Sequence, residues 1–154
     1  MRHIKYFLQF LFISFLLIFF MIIGLKFSRI IASKLFSMFG PLFRSKKTIE
    51  KNISFAFYES DKKFKKVLID NMWKSYGKIL AEYVFMKYFR KINSEEFLEV
   101  KGQEILENIK LSKDPVIFIS GHFDNFELMA MYIEKSGVDL AAIYRPLNNN
   151  FLNP

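Results

Sequence analysis

His122 and Glu127 are the residues of this chain whose types and spacing best suit chemistry. They bound the stretch Gly121-His122-Phe123-Asp124-Asn125-Phe126-Glu127, which follows an apolar run at 116–120. A carboxylate that holds one ring nitrogen fixes the imidazole tautomer and frees the other nitrogen to take a proton from a substrate. Geometry sets a condition on that pairing. At about 100° per residue, five helical steps leave two side chains roughly 140° apart. The pair can meet only if His122 lies in a turn outside the helix and Glu127 lies in the first helical turn. The same residues also suit a capping box, with Asp124 as N-cap and Glu127 as its N3 partner. Both readings stand at this point.

The surrounding pattern predicts the elements that would position them. Residues 116–120 read as a strand, 125–136 as a helix stopped by Gly137, and 140–144 as a second strand. Upstream, 97–100 reads as a short strand and 103–110 as a helix, after a cap or turn at Asn93-Ser94. This alternation is the βαβ rhythm of an α/β fold with a mostly parallel sheet. A right-handed crossover would bring the carboxyl ends of its strands to one edge, with His122 and Arg145 on one face. Arg145 suits a phosphate through bidentate hydrogen bonds, and an ion pair at a strand end is the equal alternative.

The amino-terminal part has a different character. Residues 6–25 carry no charge and are interrupted only by Gln9, Ser14 and Gly24. At about 1.5 Å per residue this run spans about 30 Å, one bilayer crossing. It is longer than the apolar region of a signal peptide and no small-residue cleavage site follows it, so an uncleaved anchor is the favoured reading. Two basic residues precede the run, whereas Lys26, Arg29, Lys34, Arg44, Lys46 and Lys47 follow it closely, which predicts a cytoplasmic body. Residues 30–43 are densely apolar and break at Gly40-Pro41; an interfacial helix and a helix packed on the body fit them equally. Apolar spacing from Phe64 to Val84 predicts a second helix, opened by Lys62, Lys63, Lys65 and Lys66. That cluster is either a solvated face or a surface for anionic headgroups or an acidic protein, and the net charge of +8 suits the latter two. Nucleic acid is not implied, because no interleaved basic and aromatic module appears. With no cysteine and only two histidines, neither disulfides nor a metal site is expected. No phosphate-binding loop or dinucleotide fingerprint is present, and no cofactor is implied.

Four blocks give the chain a resemblance to the lipid A biosynthesis acyltransferases, within the lysophospholipid and glycerolipid acyltransferase superfamily. One is the His-x-x-x-x-Glu motif of His122 and Glu127 after Val116-Ile117-Phe118-Ile119-Ser120-Gly121. Another is Ile143-Tyr144-Arg145-Pro146-Leu147-Asn148-Asn149. The helical region with Glu50-Lys51-Asn52-Ile53 and Tyr76-Gly77-Lys78 to Glu82 is the third, and the single amino-terminal membrane helix the fourth. The resemblance implies a single-pass protein of the bacterial inner membrane that moves a fatty acyl chain from acyl-acyl carrier protein to a lipid A precursor. His122 would be the general base, Glu127 its orienting carboxylate and Arg145 a phosphate contact. The alternatives are an acyltransferase for another lysolipid or glycolipid, and a non-catalytic membrane protein of the same fold. It further implies a division into an anchor at 1–25, an interfacial and helical region at 26–92, and the start of an α/β acyltransferase domain at 93–154. Such enzymes are about twice this length, so the chain reads as an amino-terminal portion or a truncated reading frame.

Overall fold

A computed structural model describes residues 2–91 and 98–153. Six α-helices are described: α1 (Arg2–Phe39), α2 (Lys46–Ala56), α3 (Lys62–Tyr83), α4 (Met86–Lys91), α5 (Gln103–Ser112) and α6 (Glu127–Lys135). Short 3₁₀ turns occupy Gly40–Leu42 and Asn150–Leu152. They form two compact units, Phe19–Val84 on one hand and Met1–Ile18 with Phe85–Pro154 on the other.

In the Phe19–Val84 unit, the second part of α1 packs against α3. The helix is broken at Gly24, whose φ of 77° and ψ of 164° suit a residue without Cβ. The Ser28 hydroxyl donates to the carbonyls of Phe20 at 2.8 Å and Gly24 at 2.7 Å, satisfying acceptors that the break releases. α3 starts where the Asp61 carboxylate accepts the Phe64 N–H at 2.6 Å, an N-cap. Trp73, Gly77 and Ala81 recur every four residues, and all three are buried. The two helices run antiparallel. Arg29 pairs with Glu82 at 3.0 Å, the Ser37 hydroxyl donates to Asp70, and Gly40 lies beneath Trp73. Between them Gly77 meets the backbone of Ala32 so closely that a methyl group there would stand 2.3 Å from the carbonyl oxygen. On the opposite face of α1, Phe27, Ile30, Lys34 and Met38 are exposed, so this segment packs on one side and leaves an apolar stripe on the other. The break expected at Gly40-Pro41 falls where α1 ends.

In the other unit, α4 and α6 are joined by Arg90 and Glu134 at 2.5 Å, with Phe89 and Ile133 buried. The Lys110 ammonium of α5 donates to the Ser136 carbonyl at 3.4 Å. α5 and α6 fall where the apolar pattern predicted helices, and Gly137, with φ of 86°, follows the end of α6.

The expected α/β fold with a mostly parallel sheet is not formed: the described residues contain no strand. Residues 116–120 and 140–144 are irregular, with Ile117 90%, Ile119 92% and Ile143 106% exposed. A strand is defined by the ladder of backbone hydrogen bonds to a neighbour, and no such ladder joins these segments. Two five-residue segments alone would make one short parallel ladder with open edges and open faces, an arrangement too weak to stand without helices on both sides. The shared sheet edge expected for His122 and Arg145 goes with it. Of the strand expected at 97–100, residues 98–100 are also irregular; Phe97 and the turn at Asn93-Ser94 lie outside the described residues.

Candidate active site

His122 stands in the loop between the irregular 113–120 segment and α6. The Phe123 N–H donates to the Gly121 carbonyl at 2.9 Å, closing a three-residue turn with His122 at its centre. That turn keeps φ of His122 negative and leaves the imidazole exposed. Its ring lies 4.5 Å from that of Phe126, tilted by 58°. The reversal is completed by Asp124, whose φ of 41° is a left-handed conformation that Asp tolerates better than most residues.

Glu127 is the first residue of α6 and is half-buried. The Leu128 and Met129 N–H groups donate to the carbonyls of Asn125 at 3.1 Å and Phe126 at 3.2 Å. The N-cap is Phe126, with no side-chain cap, so the capping box of Asp124 and Glu127 is not formed. Asp124 instead turns the chain two residues earlier. The loop therefore leaves the imidazole outside the helix, where His122 makes no hydrogen bond or ion pair among the described residues, and the carboxylate at its first position. A carboxylate there complements the positive end of the helix dipole.

Arg145 is exposed in the irregular 138–147 segment and makes no hydrogen bond or ion pair among the described residues. No such interaction links it to the His122 loop. The residues after it are held tightly. The Asn153 side chain accepts from the Leu147 N–H at 2.8 Å and donates to the Leu147 carbonyl at 2.9 Å. Buried Asn149 donates to the Tyr6 carbonyl at 2.9 Å and accepts the Phe151 N–H at 3.1 Å, while the Phe151 ring lies 5.7 Å from Phe7 and 6.1 Å from Phe10. The Tyr144-Arg145-Pro146 segment thus runs into a loop tied by asparagines to the start of α1. Beside this tie is a cavity of about 430 Å³ lined by Arg2, His3, Tyr6, Asn148, Asn150 and Phe151; neither His122 nor Glu127 borders it.

Two contributions were not anticipated from sequence. Phe126, four residues after His122, supplies the ring against which the imidazole rests, and that spacing was its only signal. In sequence Asn149 is only part of a motif, and its burial against a residue more than a hundred positions away has no local signature. The profile of the bacterial lipid A biosynthesis acyltransferases matches residues 1–154. No curated protein and no solved structure matches the chain.

Proposed function

The chain belongs to the bacterial lipid A biosynthesis acyltransferase family, and from that premise we propose that it transfers a fatty acyl chain from acyl-acyl carrier protein to a hydroxyl of a lipid A precursor. The family match over the full span is the observation that carries this reading. His122 takes the proton from the acceptor hydroxyl as that oxygen attacks the thioester carbonyl carbon. The carbon–sulfur bond then breaks, and the imidazolium returns its proton to the departing thiolate, so no covalent acyl-enzyme forms. Glu127 orients the imidazole and balances its charge while it is protonated. An exposed imidazole in the loop before α6 and a half-buried carboxylate at the first position of that helix support these roles. Arg145 binds a phosphate of the acceptor or of the donor's phosphopantetheine arm, a role its exposed guanidinium permits.

Residues 1–25 act as the anchor of a protein in the bacterial inner membrane, 26–92 as the surface-lying helical region and 93–154 as the segment bearing the reacting groups. One observation supports the anchor: α1 is long and apolar enough to cross a bilayer. The basic residues after the run favour a cytoplasmic body.

The test is acyl transfer from acyl-acyl carrier protein to a lipid A precursor in membranes containing the chain, beside its His122→Ala variant. Loss of a general base should lower the rate by about 10²–10⁴-fold, with unchanged folding because the side chain is exposed. Equal activity in the variant would remove His122 from the mechanism. An inactive parent that acylates a different lysolipid would overturn the choice of acceptor.

A further inference from the structure

The Phe19–Val84 unit has a surface that neither its helix packing nor acyl transfer uses. At the tip of the α2–α3 hairpin, Phe55 is 75% and Tyr58 76% exposed. Phe57 and Phe64, exposed as well, bring their rings within 5.6 Å of each other across the hairpin. Lys51 carries its ammonium 5.8 Å from the centre of the Phe55 ring, and Lys47, Lys62 and Lys66 are exposed nearby in sequence. Three carboxylates lie in this region: Asp61 is the N-cap of α3, Glu50 pairs with Lys46 at 3.7 Å, and Glu59 is exposed beside Tyr58, and the lysines from Lys46 to Lys66 outnumber them. The balance of the hairpin is therefore cationic.

We propose that this hairpin is a second membrane contact, with Phe55 and Tyr58 seated in the headgroup layer of a bilayer containing anionic lipid and Lys47, Lys51, Lys62 and Lys66 against its phosphates. Aromatic rings favour that layer, where one side is apolar and the other wet, and lysines reach from it to phosphate while burying their stems. Continuity selects a bilayer over an acidic protein as the occupant. The same unit begins inside the apolar run of α1, is broken at Gly24, and continues through a segment exposing Phe27, Ile30 and Met38 before the turn at Gly40–Leu42 leads to α2. The anchor thus tethers the hairpin near a membrane and makes docking an intramolecular step. This inference rests on α1 as an anchor and is independent of the acyl-transfer mechanism.

The chain has no cysteine, so Tyr58→Cys offers a single site for an environment-sensitive fluorophore in the full chain, reconstituted into vesicles. Each lysine at an anionic surface multiplies occupancy by about fivefold, so the four together amount to about 600-fold. In vesicles of phosphatidylcholine with phosphatidylglycerol at low salt, emission should shift to the blue and the probe should be shielded from an aqueous quencher. Both effects should disappear in pure phosphatidylcholine, in high salt, and in the K47E/K51E/K62E/K66E variant. If that variant loses helicity, K47Q/K51Q takes its place with an expected loss of about 25-fold. A probe that stays quenchable in anionic vesicles, responds identically in neutral ones, or responds only to added acyl carrier protein would overturn the proposal.

Discussion

Gly77→Ala tests the α1–α3 packing because the substitution has two opposed effects of calculable size. Alanine is the better helix former and should contribute about 1 kcal/mol within α3. Against this, its Cβ would stand 2.3 Å from the Ala32 oxygen and 2.6 Å from the carbonyl carbon. Ordinary contact needs about 3.5 Å, so the helices must part by about 1 Å. Both obstacles are backbone, and no side chain can swing aside. Overpacking costs about 1–3 kcal/mol, and here, with backbone on both sides of the clash and the 3.0 Å Arg29–Glu82 pair strained by separation, the cost falls in the upper part of that range, about 2–3 kcal/mol. The net expectation is a loss of about 1–2 kcal/mol, or about 2–8 °C in Tm for a chain of this size. Trp73, the only tryptophan, lies over Gly40 at the same helix pair, so its fluorescence during unfolding in mild detergent reports the event directly. Asn71→Ala, at an exposed position of α3, isolates the propensity gain and should be mildly stabilising. A Gly77→Ala protein as stable as the parent, or more stable, would refute the close approach of the two backbones.

Two further outcomes follow from named contacts. The Lys74 ammonium, 2.5 Å away, and the Ser37 hydroxyl both hydrogen-bond the Asp70 carboxylate and hold it below the usual carboxylate range. A depressed folded-state value stabilises the protein above the unfolded value, near 3.9, and that contribution fades as pH falls through the folded one. Asp70→Asn should therefore flatten the acid limb of a series of urea midpoints taken from about pH 5 to about pH 2; an unchanged slope would show that the cluster does not contribute. Because these side chains are nearly half exposed, the cost at neutral pH should stay below about 1 kcal/mol. Asn149→Ala removes the 2.9 Å bond to Tyr6 and the 3.1 Å bond from Phe151. Hydrogen exchange at the Phe151 amide should accelerate by about 10–100-fold while α3 is unaffected, and equal protection would mean that the asparagine does not hold the loop.

The helices were legible in sequence because their signals are local. The apolar spacing from Phe64 to Val84 and the break at Gly40-Pro41 each act within a turn or two of the chain, whereas the N-cap at Asp61 and the burial of Gly77 and Ala81 emerged only with the structure. The candidate site was legible in type but only partly in geometry. The His122 spacing demanded a turn before the helix, yet nothing local announced that α6 would begin at Glu127 without a side-chain cap, or that Asp124 would take a positive φ. The apolar runs at 116–120 and 140–144 misled for a related reason. Burial potential is a property of a segment, whereas being a strand is a property of a pair, and no partner ladder forms here.

Sequence alone determined the apolar length of α1, its basic flank, the α3 stripe and the spacing of His122 from Glu127, since composition and short-range order carry each of them. Tertiary structure alone decided that Gly77 meets the Ala32 backbone, that Gly40 accepts Trp73, and that Asn149 reaches the carbonyl of Tyr6. Those contacts join residues from 33 to 143 positions apart. Close packing selects them only after the helices have formed, because whether two surfaces fit depends on both partners at once.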